Sequence, residues 1–127
     1  MRIEISGSLA SKKLRQRVAE VLRIAADFLK IADFFVEVNL VGDEVMKKNV
    51  LSYKAPKNFS FGGIKEKFLG EIYLNPKYIE EHEENFDLMV IHGFLHLMGY
   101  VHEEENDRIK MESIETKIIK SCVSLLD

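Results

Sequence analysis

The stretch HGFLHLMGYVH, His92 to His102, holds three of the four histidines of a 127-residue chain. Neutral imidazole is the commonest protein ligand for metal ions, and it also titrates near neutral pH. On a helix, residues four apart share a face, so His92 and His96 project side by side within reach of one ion. Gly99 is the residue type that most often ends a helix in a left-handed conformation. A chain reversed there brings His102, three residues later, back towards the same point. Three neutral imidazoles with an open fourth position form the donor set of a catalytic zinc site, whereas structural zinc usually takes four protein ligands. A single histidine on an apolar face is usually a core residue with its hydrogen bonds satisfied. Three of them at H-x3-H-x5-H around a helix-ending glycine predict one Zn2+ held by His92, His96 and His102. His82, inside the acidic run EEHEE, lies outside that set.

These ligands need a helix that starts and stops in the right places. Asn85 can cap a helix running through Met98, with Gly99 as its stop. Upstream, Arg2 to Ser6 alternates apolar and polar residues and reads as a first strand. Leu14, Val18, Val21, Ala25 and Phe28 recur at steps of four and three, which predicts an amphipathic helix capped by Ser11. Phe34 to Val41 reads as a second strand, Asn49 to Tyr53 as a short third, and Phe68 to Asn75 as a fourth. Between the last two, Lys54 to Lys67 contains Pro56, Gly62 and Gly63 and reads as a long mobile loop. Pro76 opens a short helical turn. A last helix, about Asn106 to Leu125, places Met111, Ile114, Ile118 and Leu125 on one face. The order β-α-β-β-β-α-α predicts an α+β fold over residues 1–127, one domain, with a small mixed sheet of about four strands covered by helices.

Composition excludes several classes. Hydrophobic residues make up 46% of the chain and charged ones 31%, as in soluble globular proteins. The lone Cys122 cannot form an internal disulfide and reads as a small apolar residue of the last helix. The N-terminus lacks an apolar run of signal-peptide length. The longest uncharged run, Leu88 to Val101, is too short to span a bilayer. A cytoplasmic location without membrane contact is the expectation. The net charge of −3 is unevenly spread: Met46 to Phe68 carries six lysines against one acid, and Pro76 to Asp127 carries five basic residues against twelve acidic. Local patches steer ligands whatever the overall sign. By charge alone, the lysines also fit a merely solvated loop.

The histidine spacing matches the metzincin peptidase pattern H-E-x-x-H-x-x-G-x-x-H, glycine included, except that Gly93 stands where those enzymes carry their general-base Glu. Glycine within a helix costs about 1 kcal/mol relative to alanine, so helix stability does not explain it. Gly93 removes the carboxylate and is expected to open space beside the metal. The stretch resembles the YbeY endoribonucleases, whose signature is H-G-x-L-H-L-x-G-Y-D-H. HGFLHLMGYVH agrees at every fixed position except Val101, which replaces the Asp. NVLSY (Asn49 to Tyr53) is similar to the family's D-V-L-S-F, LGEI (Leu69 to Ile72) to its L-G-D-I, and Met111 with Glu115 to its M-x-x-x-E. The resemblance spans about Asn39 to Ile119. It implies a zincin-like α+β fold, one zinc on three histidines, and single-strand-specific cleavage of RNA in ribosomal RNA maturation (16S rRNA 3′-end processing) and ribosome quality control. The ribosome is the implied partner. Family members carry a longer segment before D-V-L-S-F, with a substrate-facing arginine; here GDEVMKK fills that place, and Lys47 or Lys48 offers the positive charge there.

With that resemblance, the segment from Tyr53 to Phe68 gains a second reading. Tyr53, Phe59, Phe61 and Phe68 interleave with lysines, a composition used for single-stranded nucleic acid. Phe68, opening a strand, is expected to belong to the core. Lys48, Lys54, Lys57, Lys65 and Lys67 are the candidate RNA contacts, and the cluster from Lys12 to Arg17 is a second basic track. Without a Glu at position 93, either the metal generates the nucleophile or the RNA's own 2′-hydroxyl attacks with metal help. Two other classes fit parts of the pattern: a zinc hydrolase of peptides or other small substrates, and a non-catalytic RNA-binding protein of the ribosome.

Overall fold

The computed structural model describes residues 1–56 and 66–127. In chain order its elements are β1 (Arg2–Ser6), α1 (Lys12–Leu29), β2 (Phe34–Leu40), β3 (Val50–Lys54), β4 (Lys67–Leu74), α2 (Pro76–Glu81), α3 (Phe86–Leu97) and α4 (Glu105–Leu126). This is the zincin-like α+β arrangement anticipated from the sequence, with boundaries shifted by a residue or two.

β2, FFVEVNL, buries Phe34, Val36, Val38 and Leu40 on its core face, while Glu37 and Asn39 on the other face are only partly buried, and it lies inside a sheet of order β1-β2-β4-β3. β1 and β4 run parallel to it, while β3 lies antiparallel to β4 at the edge. Parallel neighbours need a crossover, which α1 supplies between β1 and β2. The β2–β4 register slips so that Phe35 faces Phe68 and Val36 faces Gly70, leaving Leu69 as an extra, bulged residue. Gly70 has φ +136°, and a Cβ there would lie 2.1 Å from the Tyr53 carbonyl oxygen. No other residue fits. Glu4, Glu37 and Glu71 share one cross-strand row.

The helices form by local signals and are held by their apolar stripes. The Ser11 hydroxyl accepts the Leu14 N–H and starts α1, and Lys30 ends it in the left-handed region. α1 buries Val18, Val21, Leu22, Ala25 and Ala26, and the stripe continues through Leu29. Phe28, expected on that face, is 41% exposed, because the steps run 22, 25/26, 29. α4 buries Met111, Glu115, Ile118 and Cys122, and it closes on the core through Leu126. Leu125, expected in this stripe, is 70% exposed. Asn85 accepts the Leu88 N–H to start α3. Gly99, at φ +98°, lets the chain turn after it. Asn75, fully buried, caps α2 through its side-chain oxygen while its amide donates to Asp43 and to the Met46 carbonyl. α3 packs on β3 and β4, with α1 and α4 against it. Arg17 locks α1 to α3 through two bonds to Asp87 of 2.6 and 3.0 Å and also reaches Asp127. The Asp87 hydrogen bonds raise the Arg17 pKa. Among the described residues no helix is long and apolar enough to cross a membrane.

Candidate metal centre and its cleft

His92 and His96 stand one turn apart on α3, and His102 follows the Gly99 turn. Their ligating nitrogens all lie within 4.8 Å of one another. The Nε2 atoms of His92 and His96 are 3.0 Å apart. Two nitrogens on one tetrahedral zinc lie about 3.3–3.4 Å apart, from bonds of about 2.0–2.1 Å. The other ring nitrogens have partners: His92 Nδ1 donates to Glu115 Oε2 at 2.7 Å, and His96 Nδ1 donates to the Tyr100 carbonyl at 2.9 Å. A carbonyl and a carboxylate are acceptors only, so each Nδ1 carries the hydrogen and each neutral ring turns a bare Nε2 lone pair inward. Two lone pairs facing at this distance repel unless a cation or a proton lies between them. Anchoring the far nitrogen on a carboxylate or a backbone carbonyl is how metal-ligating histidines are oriented. Burial lowers the His96 pKa, because the imidazolium loses hydration, and the neighbouring His92 lowers it further. Both effects favour the neutral ring. The donor set fits a metal ion.

The histidines open on a cleft of about 820 Å³ between the edge strand β3 and helix α3. Ser52 Oγ donates to the Gly93 carbonyl at 2.8 Å and ties the two walls together. A Cβ at Gly93 would meet Ile72 Cγ2 at 2.9 Å, Val50 Cγ2 at 3.0 Å and Ser52 Oγ at 3.1 Å. The expectation that Gly93 opens space beside the metal is therefore corrected. It lets α3 press against the sheet, and the room is filled by β3 and β4.

Lys48 and Lys54 line the cleft. Lys67 does not; it starts β4 beside Phe34, where its backbone N–H donates to the Asp33 carbonyl. Lys57 and Lys65, with Phe59 and Phe61, lie outside the described residues. Phe68 is half-buried, its ring 5.1 Å from that of Phe35, and Tyr53 is exposed. In the N-terminal basic cluster, Arg15 donates to the Ala10 and Ile5 carbonyls and Arg17 to Asp87, so both are committed internally. His82 stacks on Tyr78 and is not among the three grouped histidines. Glu115 was legible only as part of a motif, and its contact with His92 follows from α4 crossing α3, 23 residues further on.

Similarity to known proteins points the same way. The family model described as Endoribonuclease YbeY matches residues 3–123. Proteins named Endoribonuclease YbeY from Agrobacterium fabrum and Buchnera aphidicola are each 30% identical, over 92% and 94% of this chain and 86% and 92% of theirs. A solution structure of a Thermotoga maritima protein superposes with a TM-score of 0.57 at 25% identity, covering 96% of this chain and 92% of that one. With the family match across almost its whole length, the chain belongs to the YbeY endoribonuclease family.

Proposed function

We propose that the chain is a zinc-dependent endoribonuclease specific for unpaired RNA, working as one domain in the cytoplasm on ribosomal RNA (16S 3′-end maturation) and in ribosome quality control. Family membership supports the nuclease role. The observation that carries the metal reading is the pair of inward Nε2 lone pairs 3.0 Å apart, each fixed by an acceptor on the opposite ring nitrogen. His92, His96 and His102 would hold the ion. A zinc ion there supplies Lewis acidity towards a phosphoryl oxygen and makes nearby water a stronger acid. Glu115 and the Tyr100 carbonyl hold the ring hydrogens at Nδ1, and Lys48 and Lys54 hold the flanking phosphates. Lys57, Lys65 and Lys67 remain candidate contacts for RNA outside this cleft. Gly93, packed against the sheet, leaves no carboxylate in the place of a peptidase base, which favours phosphodiester over peptide substrates.

The test is incubation of zinc-loaded protein with single-stranded RNA, duplex RNA and casein, each with a chelator control. Chelator-sensitive cutting confined to unpaired RNA is expected. Single His→Ala changes at 92, 96 and 102 should remove bound zinc, and His82→Ala should keep it. A 2′,3′-cyclic phosphate end would identify the RNA's 2′-hydroxyl as the nucleophile. Equal cutting of duplex RNA, or hydrolysis of casein that persists through repurification, sinks the proposal.

A further inference from the structure

α2 carries a feature that the metal chemistry leaves unused. The rings of Tyr78 and His82 stack with centroids 3.8 Å apart and planes 15° from parallel. His82 Nδ1 hydrogen-bonds the Tyr78 carbonyl at 2.8 Å, so the pair is held at both backbone and ring. Tyr78 lines the same cleft as the three histidines. The core does not demand an aromatic ring there, since the neighbouring Ile79 supplies the buried anchor of α2.

The tethers of α2 fix where along the cleft this pair sits. The Asn75 N–H donates to the Asn49 carbonyl, and Asn49 Nδ2 donates to the Glu84 carboxylate at 3.2 Å. Both ends of α2 are thus bound to the residue beside Lys48. At the far end of β3, Lys54 Nζ comes within 3.7 Å of where a Cβ on Gly99 would lie. Along the cleft the order is Tyr78 with Lys48, then the histidines, then Lys54. Cations at both ends of a cleft, with an aromatic face beside one of them, suit a single strand. Resting on the RNA reading above, we propose that Tyr78, backed by His82, is the stacking platform for the nucleobase on the Lys48 side of the bond that is cut.

A base already stacked within a duplex offers no free face, so such a platform selects unpaired RNA. The stacked partner and the capped helix fix the ring before substrate arrives, which lowers the ordering cost of binding. Tyr78 acts as a positioning residue; it takes no proton and touches no phosphate.

The experiment uses the zinc-loaded full chain and a set of single-stranded RNAs, each lacking one base near the cut. Tyr78→Ala should lower kcat/KM on intact RNA by about 5- to 150-fold, the range for one lost base stack, with zinc content and melting temperature unchanged. Tyr78→Phe keeps the ring and should match the parent. One abasic RNA should cost the parent the same factor and cost Tyr78→Ala nothing further. The platform is overturned if Tyr78→Ala matches the parent, if Tyr78→Phe loses as much as Ala, or if every abasic RNA penalises both proteins alike. A parent protein that cuts no RNA overturns the nuclease reading along with it. A parent that cuts RNA but is matched by Tyr78→Ala overturns the platform alone.

Discussion

Replacing Glu115 tests whether the histidines are set up for a metal or merely packed. Glu115 is buried, with 8% of the residue exposed, and its carboxylate accepts from His92 Nδ1 at 2.7 Å. Little water reaches this bond, so it is weakly screened. Removing the outer partner of a metal-ligating histidine typically costs 10- to 100-fold in metal affinity, or about 1.4–2.8 kcal/mol. A buried, charge-assisted bond belongs in the upper half of that range, so Glu115→Ala should weaken zinc binding by about 30- to 100-fold. Glu115→Gln keeps an oxygen that accepts from Nδ1 but loses the charge, and should cost about 10-fold. The assay is competition for zinc against a chromophoric chelator above neutral pH. His96, with its lowered pKa, is then unprotonated. As pH falls through the ordinary histidine range, protons take the same nitrogens and zinc affinity should fall in every variant. A folded Glu115→Ala protein that holds zinc as tightly as the parent would refute the reasoning, because His92 would then owe nothing to its partner.

Gly93→Ala pushes a methyl group against Ile72, Val50 and Ser52 and should destabilise the fold by about 1–3 kcal/mol; unchanged thermal unfolding would show that the α3–sheet contact is looser than described. Lys48→Gln and Lys54→Gln should each flatten the plot of log RNA affinity against log salt by about 0.7. Slopes identical to the parent's would return these cleft lysines to simple solvation. The Glu37 carboxyl is pushed above the usual carboxylate range by burial and by its hydrogen bond with Glu71. A raised folded-state pKa means that its contribution to stability is present at acid pH and lost as pH rises through the raised value. Glu37→Gln should therefore flatten the pH dependence of stability and gain about 0.2–1 kcal/mol at neutral pH, as read from denaturant unfolding at a series of pH values.

What the sequence made legible was whatever is decided within a turn or two of chain. Ser11, Asn85 and Gly99 act on their own helices, so their roles could be read directly. The same holds for His92 and His96, whose convergence is a matter of helical spacing. Phe28 and Leu125 were misplaced because a stripe of steps three and four can pass through either of two neighbours, and only the packed core selects Leu29 and Leu126. Gly93 was misread because its reason lies across the sheet, in Val50 and Ile72, and no local pattern records that approach. Lys67 adjoins the basic segment in sequence, but β4 starts alongside Phe34 and carries it away from the histidines. Asn49 and Tyr78 gained their meaning from tethers between segments 26 to 35 residues apart.

The three histidines are not equally held. His92 and His96 sit on a helix wedged between sheet and helices, each with its second nitrogen anchored. His102 follows a glycine turn, is exposed, and among the described residues has ring neighbours but no hydrogen-bond anchor. An ion here would leave in steps rather than at once, with His102 swinging away first while two imidazoles keep their grip. The hold on an ion would then depend on the loop after Gly99, which carries His102, as well as on α3, which carries His92 and His96. Residence time and affinity become separately adjustable: changes in residues 99–103 should speed both loading and loss of the ion, while changes in α3 or α4 should alter the equilibrium itself.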